Sequence, residues 1–181
     1  GVAARVSGLQ SRGYPNLIQV SASHYTVQHV VFARPPLAEA GVSDIAGLVE
    51  TSLLQRISVA YLHGSNKAEE LLTGLPAAYK TALNLPEQAF RMLAKGRVCA
   101  YLAGPGIVNR AVLKRMKAAA PGSAGMQEIT EVFVASESLL YPYVHARHAP
   151  LVTAVTAALR GMADDGTLDN LFHAAWWPVL P

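Results

Sequence analysis

The sequence predicts an α/β protein with a mostly parallel sheet. Between Arg56 and Gly106, short apolar segments with β-branched residues alternate with helical segments, and tight turns separate them. Strands that alternate with helices in this way are typical of βαβ units. Because the ligands of such sheets bind beyond the carboxyl ends of the strands, two turns that follow strands, 64–66 and 104–106, are the first places to look for a site.

Size and charge favour a folded protein that does not bind nucleic acid. The 181 residues suffice for one ordinary domain or two small lobes. The hydrophobic content of 51% and the charged content of 15% are typical of globular rather than disordered chains. The formal net charge is +3, and the basic residues are scattered except at Lys114, Arg115 and Lys117. We interpret that cluster as a solvated helix face.

Cysteine usage and the first residues give less information. Cys99 is the only cysteine in the sequence, so no disulfide can form within the chain. Its apolar strand context is typical of an inert thiol. The sequence contains no run of about 18 apolar residues that would predict a membrane span. Residues 1–5 lack the basic and apolar regions of a signal peptide, so we expect no targeting peptide in this chain.

Turn residues and apolar runs predict the elements before Arg56. Tyr14-Pro15-Asn16 is a turn signal, and Arg34-Pro35-Pro36 ends a strand because proline cannot donate to a sheet ladder. Ser43-Asp44 is a helix N-cap. The expected elements are a helix over 1–13, strands over 17–20 and 27–33, a linker over 38–42 and a helix that ends near Glu50.

The same signals predict the rest of the chain. Pro86 opens a helix and Gly96 closes it. Ser136-Glu137-Ser138 is expected to be a turn, Asp164-Asp165-Gly166 to stop a long amphipathic helix, and Trp176-Trp177-Pro178 to dock as an apolar plug. The expected strands are 57–62, 81–85, 98–103, 129–135 and 139–146, and the expected helices are 67–73, 86–94, 106–117, 149–163 and a last one from Thr167.

Six stretches carry a resemblance to a known family through their order and spacing. They are 14–20, 56–65, 89–103, 148–152, 157–159 and 163–171. Together they resemble the type II solute-binding proteins, the extracytoplasmic receptors of bacterial ABC importers. The likeness is to the amino-acid-binding class, bacterial extracellular solute-binding family 3. The first stretch resembles a strand of the first lobe, the next two open the second lobe, and the last three resemble the C-terminal helices.

The resemblance implies a periplasmic-binding-protein type II fold, with two lobes of mostly parallel sheets and a ligand in the cleft between them. Lobe one would comprise 1–40 and 147–181, and lobe two would comprise 41–146. The family's first lobe begins with a β-α-β unit of roughly 30 residues or more that this sequence lacks. We therefore expect an N-terminally truncated chain with an incomplete first lobe. Its exposed apolar surface would favour a homodimer or another covering partner.

One departure from the family concerns the ligand. Members that bind amino acids place an aspartate just after the third strand of lobe two, where it pairs with the ligand's ammonium. This sequence has Leu102-Ala103-Gly104-Pro105 there, and Cys99 stands where an aspartate is frequent in the strand. The resemblance therefore does not imply a standard α-amino acid as the ligand.

The turn Gly64-Ser65-Asn66 is the best candidate for ligand binding. A helix N-terminus offers backbone N–H groups to an anion, and Ser65 adds a hydroxyl donor. In the family this turn binds the ligand carboxylate. The alternative is that Ser65 or Asn66 only caps the helix, with Asn66 and Glu69 forming a variant of the capping box.

Four other residues are weaker candidates. The resemblance places Arg5 where the first lobe grips a carboxylate, and a guanidinium has the right chemistry for that; a surface arginine is the alternative. Tyr61 and Tyr101 flank the two turns and could pack on a ligand or simply in the core. Gly104 could line the cleft through its backbone or form a plain strand-to-helix turn.

The sequence gives no indication of a metal, a cofactor or an enzyme. His145 and His148 are close in sequence, but no carboxylate or thiol stands at a matching spacing. No nucleophile elbow, P-loop or zinc-protease motif occurs. We therefore predict a periplasmic or extracellular protein that captures a small polar or anionic solute for the membrane subunits of an ABC transporter. The alternatives are a regulatory or scaffold protein that has lost solute binding, and an enzyme on the same fold.

Overall fold

The computed structural model describes residues 14–176, which form two compact units. Unit 1 contains the described residues 14–27 and 137–176, and unit 2 contains residues 28–136. The helix predicted over 1–13, together with Arg5, and the end of the predicted aromatic plug, 177–178, lie outside the described residues.

Seven strands and eight α-helices are described, and the α/β class predicted from the sequence is confirmed. The strands are β1 (Leu17–Gln19), β2 (Tyr25–Ala33), β3 (Val59–Leu62), β4 (Lys80–Leu83), β5 (Ala100–Ala103), β6 (Thr130–Leu140) and β7 (Tyr143–His145). The helices are α1 (Pro35–Glu39), α2 (Ile45–Gln55), α3 (Asn66–Leu71), α4 (Pro86–Ala94), α5 (Gly106–Ala119), α6 (Ala124–Gln127), α7 (Leu151–Asp164) and α8 (Thr167–Trp176). Single 3₁₀ turns cover 77–79 and 146–148.

A mixed sheet with strand order β4-β3-β5-β2-β6 is the framework of unit 2. Strand β3 is parallel to both β4 and β5, as the βαβ pattern predicted. Strand β2 runs antiparallel to β5, with Val31 opposite Leu102. Strands β2 and β6 are also the two strands that carry the chain from one unit into the other.

The sheet buries a separate apolar cluster on each face, as expected when successive side chains point to opposite sides. On one face, Phe32, Phe90 and Tyr101 pack ring to ring, with centroids 5.2–6.3 Å apart. The other face carries Val31, Tyr61, Leu102 and residues of α2 and α3. The sheet is therefore covered by helices on both faces, which is the layered arrangement of α/β proteins.

Helix α2 is longer than the sequence predicted. Asp44 caps it as expected, since its Oδ1 accepts a hydrogen bond from the backbone N–H of Gly47 at 2.8 Å. The predicted end near Glu50 is wrong, because no glycine or proline stands between Glu50 and Gln55. The helix ends where Arg56 adopts a left-handed conformation with φ of +53°.

Two other predictions are corrected. The expected linker after Pro35-Pro36 begins inside α1, because proline suits the first helical positions while it ends a strand. The expected turn at 136–138 is wrong, because β6 continues from Thr130 to Leu140 without interruption. The polar residues 136–138 occupy partly exposed positions within this strand.

In unit 1, β1 pairs with β7 in an antiparallel ribbon, and the last described elements are α7 and α8. The apolar stripe predicted for α7 is present, but no residue of this helix is fully buried. Leu151 at its start has 53% of its surface exposed. Of the described helices, none is both long and apolar enough to cross a membrane.

A buried hydrogen-bond chain fixes the turn that follows β5. The hydroxyl of Tyr101 donates to Oδ1 of Asn109 at 2.8 Å, and Nδ2 of Asn109 donates to the carbonyl oxygen of Pro105 at 2.8 Å. Asn109 is 1% exposed, and burial raises the pKa of Tyr101, so its hydroxyl stays protonated as a donor. The amide of Asn109 on α5 thereby holds the turn against the core.

Replacing Asn109 should weaken unit 2 measurably. Asn109→Ala leaves the buried hydroxyl of Tyr101 without its acceptor, which should lower the free energy of unfolding by about 1–3 kcal/mol. Urea denaturation checks this. The exposed Asn170 on α8 is the matched control, and Asn170→Ala should change stability by less than about 0.5 kcal/mol. Equal effects of the two substitutions would contradict the structural role of Asn109.

Candidate functional site

One edge of the unit 2 sheet gathers the two turns singled out in the sequence. The carboxyl ends of β3 and β5 lie there because the two strands are parallel. The amino end of β2 lies at the same edge because β2 runs antiparallel to β5, with Val30 opposite Ala103. We call this edge, with turns 64–66 and 104–106, the carboxyl edge.

The turn 64–66 is built as a cap. Gly64 has a φ of +78°, a conformation that favours glycine. The Oγ of Ser65 accepts a hydrogen bond from the backbone N–H of Ala68 at 3.4 Å. The capping alternative is thus present in the structure, with Ser65 as the capping residue and Asn66 as the first residue of α3. A hydroxyl that accepts one bond can still donate its own proton.

The backbone of this turn already uses two of its donors. The N–H of Ser65 donates to the carbonyl of Leu62 at 3.1 Å, and the N–H of Asn66 donates to the carbonyl of Gly64 at 3.1 Å. A ligand at this turn would therefore be recognised through side chains more than through these N–H groups.

Gly104 is required by a side chain that the sequence reasoning missed. A Cβ at this position would clash with Cδ2 of His29 and would lie 2.6 Å from its Nε2. Only a residue without a side chain leaves room for the imidazole, which lies against the backbone of Gly104. The peptide bond from Gly104 to Pro105 is cis.

His29 is buried at the carboxyl edge, with 9% of its surface exposed. Its Nδ1 lies 3.4 Å from the Oγ of Ser136 on β6, close enough to share a hydrogen bond. Burial lowers the pKa of His29, nearby Lys67 lowers it further, and Glu70 raises it by a smaller amount. The imidazole is therefore neutral at neutral pH.

The charged groups of α3 beside this edge are paired. The Nζ of Lys67 lies 2.7 Å from Oε1 of Glu70. The hydroxyl of Tyr61 donates to Oε1 of Glu69 at 3.4 Å. Burial, followed by the charge of Glu69, raises the pKa of Tyr61, which keeps its hydroxyl protonated. These groups of α3 therefore carry one positive and two negative charges, and each carboxylate has a partner.

The structure brings some of the predicted site residues together. Gly64, Ser65, Asn66 and Gly104 all belong to the carboxyl edge. Tyr61 lies within β3, 8% exposed, and Tyr101 lies in the aromatic core with no exposed surface. Tyr101 therefore shapes the edge only through the turn that its hydroxyl helps to fix. Within residues 14–176, no three His, Cys, Asp or Glu side chains are grouped as metal ligands would be.

His29 was missed because only the strand register reveals it. In the sequence it is one of six scattered histidines inside an apolar run. A polar residue in a strand that is otherwise buried is a usable signal, since such a side chain needs a partner or a role. Its position opposite Gly104 depends on β2 pairing antiparallel to β5, which the sequence does not show.

Comparisons with known proteins identify the fold. No family model and no curated protein sequence matches the chain. A mutant of ArgBP from T. maritima matches 95% of this chain, at 16% identity and a TM-score of 0.60. The AvGluR1 ligand-binding domain in complex with glutamate matches 96%, at 12% identity and a TM-score of 0.64. A histidine kinase sensor domain with similarity to periplasmic binding proteins matches 96%, at 17% identity and a TM-score of 0.61.

The chain spans 65–66% of the length of these structures. At this level of identity the likeness concerns architecture and carries no ligand from those proteins to this one. It confirms the fold that the sequence predicted: the chain has the periplasmic-binding-protein type II fold.

The close approach of Gly104 and His29 gives a direct test. Gly104→Ala should displace the ring and lower the free energy of unfolding by about 1–3 kcal/mol, the usual cost of overpacking. In a double-mutant cycle with His29→Ala, the coupling should be at least about 0.5 kcal/mol, because the second change removes the clash. Gly122→Ala is the control, since a Cβ there meets nothing within 4 Å. Additive effects in the cycle would contradict the contact.

Acid should destabilise unit 2 through His29. Because its folded-state pKa lies below 6.5, the folded chain binds fewer protons than the unfolded chain between the two pKa values. The contribution of the neutral imidazole to stability is complete above pH 6.5 and falls as the pH drops through that value towards the folded-state pKa.

Urea denaturation at several pH values between about 7.5 and 5.5 checks this. His29→Gln should lose less stability on acidification than the wild type. Both proteins will still lose some stability as the pH falls, since burial also lowers the pKa of His24. His63→Gln, at an exposed position, should behave like the wild type. If His29→Gln loses as much stability on acidification as the wild type, His29 does not cause the acid destabilisation.

Proposed function

We propose that this chain is a solute-binding protein that captures a small polar or anionic, amino-acid-like solute at the carboxyl edge for an ABC importer. The observation that carries the proposal is the convergence of Ser65, Gly104 and buried His29 at one edge of a sheet with a binding-protein fold. Open α/β sheets bind ligands beyond the carboxyl ends of their strands.

The groups at the edge suit a solute with acceptor oxygens. The hydroxyl of Ser65 can donate while it caps α3, and Lys67 brings a positive charge that is ion-paired with Glu70. The backbone N–H groups of the turn are partly used, so the proposed contacts are mainly made by side chains. No step of covalent chemistry is part of the proposal, which is binding alone.

An importer's binding protein has membrane partners and works outside the cytoplasm. We infer the membrane subunits of an importer as partners and a periplasmic or extracellular location, as the resemblance implies. A second copy of the chain is the proposed cover for the exposed face of α7, where no residue is fully buried. We also propose that the chain forms two lobes. Lobe one comprises 1–40 and 147–181, and lobe two comprises 41–146.

The alternative is a regulatory or scaffold protein that has lost solute binding. The paired state of Lys67 and the internal use of the N–H groups of Ser65 and Asn66 favour it, because fewer donors are left for a ligand. A sensor domain of a histidine kinase is among the structures with this fold, so the architecture also occurs in signalling proteins.

A thermal-shift screen separates the two functions. A panel of amino acids, dicarboxylates and small hydroxy acids should contain at least one solute that raises Tm. A ligand at 100 times its Kd adds about 2.7 kcal/mol to stability, which corresponds to a shift of roughly 5–10 °C for a chain of this size. No shift with any member of the panel would favour the regulatory alternative.

Two serine variants locate the site. Ser65→Ala should lower the basal Tm, because a helix cap is lost, and should also reduce the ligand-induced shift. Ser123 also precedes a short helix but makes no side-chain cap bond, so Ser123→Ala should leave the ligand-induced shift unchanged. A full shift in Ser65→Ala would remove this turn from the proposal.

A further inference from the structure

The charges of unit 2 are divided between the two groups of helices that cover its sheet. Helices α1, α2 and α3 pack on one face, and α4, α5 and α6 pack on the other. Residues 35–79, which include the first group, contain five acidic and two basic residues, a net charge of −3 with histidine neutral. Residues 86–128, which include the second group, contain seven basic and two acidic residues, a net charge of +5. We call the first group of helices the acidic layer and the second group, with the segment 95–99, the basic layer.

The two carboxylates next to the basic layer are already paired with arginines. Oε1 of Glu87 on α4 accepts a hydrogen bond from Nη2 of Arg115 on α5 at 2.7 Å. Oε2 of Glu128, which follows α6, accepts one from Nη2 of Arg34 at 2.8 Å. Neither carboxylate is therefore available to neutralise a further basic side chain of the layer.

Two of the remaining basic residues also have partners. Nε of Arg110 donates to Oε2 of Glu131 on β6 at 2.6 Å, and Nζ of Lys117 donates to the carbonyl of Gln127 at 2.9 Å. Four exposed basic side chains are left that form no ion pair with a described residue. They are Arg91, Lys95, Arg97 and Lys114.

These four side chains belong to one continuous surface. The ion pair of Arg115 with Glu87 joins α5 to α4. Arg91 follows Glu87 by one helical turn and therefore lies on the same side of α4. Lys114 directly precedes Arg115 on α5, and the segment 95–97 continues from the end of α4. The unpaired cations of the two helices are thus neighbours on the outer side of the basic layer.

The basic layer offers charge without apolar anchors. None of the exposed large apolar side chains among the described residues lies within 86–128. The two aromatic residues of that segment, Phe90 and Tyr101, are wholly buried. Protein interfaces depend on apolar and aromatic anchors at their centre, and single-stranded nucleic acids stack on aromatic side chains. A surface that attracts through charge alone fits the anionic headgroups of a bilayer, which attract basic side chains near them.

We propose that the basic layer docks unit 2 on the surface of an anionic phospholipid bilayer, with its four unpaired cations against the headgroups. The acidic layer lies on the opposite face of the sheet and is repelled by the same surface, so the division of charge sets one orientation. The contact is peripheral and involves no insertion of the chain into the bilayer. The inference goes beyond the proposed function and does not depend on it, because none of the four cations belongs to the carboxyl edge.

Sedimentation with vesicles tests the docking on the wild-type protein. Vesicles of phosphatidylcholine with about 30% phosphatidylglycerol should bind the chain at least about tenfold more tightly than vesicles of phosphatidylcholine alone, since each basic residue near an anionic surface contributes about fivefold. Raising the salt concentration from about 0.05 M to about 0.5 M should release the protein, because salt screens exposed charges. Equal binding to both kinds of vesicle, or binding to neither, would overturn the inference and leave the solute-binding proposal untouched.

Two matched double variants assign the binding to the basic layer. Arg91→Gln with Lys114→Gln removes one cation from α4 and one from α5, and should weaken binding to the anionic vesicles at least about tenfold. Arg147→Gln with Arg160→Gln removes the same charge from exposed positions of unit 1, and should weaken it less than about threefold. All four side chains are exposed, so both variants should fold like the wild type. Equal losses in the two variants would show that net charge alone drives the binding, and would overturn the inference.

Two other polyanions decide whether a bilayer is the partner. Duplex DNA and polyglutamate are titrated against the wild-type protein at the same salt and at the same concentration of anionic groups as the vesicles. Both should bind more weakly than the anionic vesicles. Tighter binding of the DNA would make a nucleic acid the partner, and tighter binding of polyglutamate would make it an acidic protein. Either of these results would overturn the inference.

Discussion

The carboxyl edge of unit 2 depends on one buried hydrogen-bond chain. Tyr101 on β5 donates to Asn109 on α5, which donates to the carbonyl of Pro105 in the turn between them. Because Tyr101 is wholly buried and packs against Phe32 and Phe90, these hydrogen bonds connect the turn to the aromatic core. Gly104 is then held in the place where His29 can lie against it.

Local sequence signals predicted elements whose ends are marked by proline, glycine or a capping residue. Helix α4 was predicted from Pro86 to Ala94 and has those bounds, because proline begins it and Gly96 follows it. The cap at Asp44 was predicted for the same reason. Where such markers were weak, the boundaries failed: α2 runs past Glu50 to Gln55, and β6 continues through the polar segment 136–138.

The candidate site was only partly accessible to the sequence. The turn 64–66 and Gly104 were found because glycines after apolar strands mark the ends of strands. His29 and Ser136 were not found, since both depend on strands that are distant in sequence: β2 pairs with β5, and β6 is its other neighbour. A segment taken for a turn could not be expected to supply a hydroxyl to a buried histidine. Finding these two residues would have required knowledge of which strands pair, and residue propensities do not supply it.

The way the turn 64–66 is hydrogen-bonded decides where specificity can reside. The N–H groups of Ser65 and Asn66 close the turn on Leu62 and Gly64, so they hold the backbone in shape. At the proposed site, the groups that would remain for a solute are the hydroxyl of Ser65 and the side chains that the strands carry to the same edge. His29 is one of these groups, and its place is set by the register of a central strand. A change of ligand in this architecture would therefore require substitutions on the strands, where His29 and Gly104 constrain each other, more than changes in the turn.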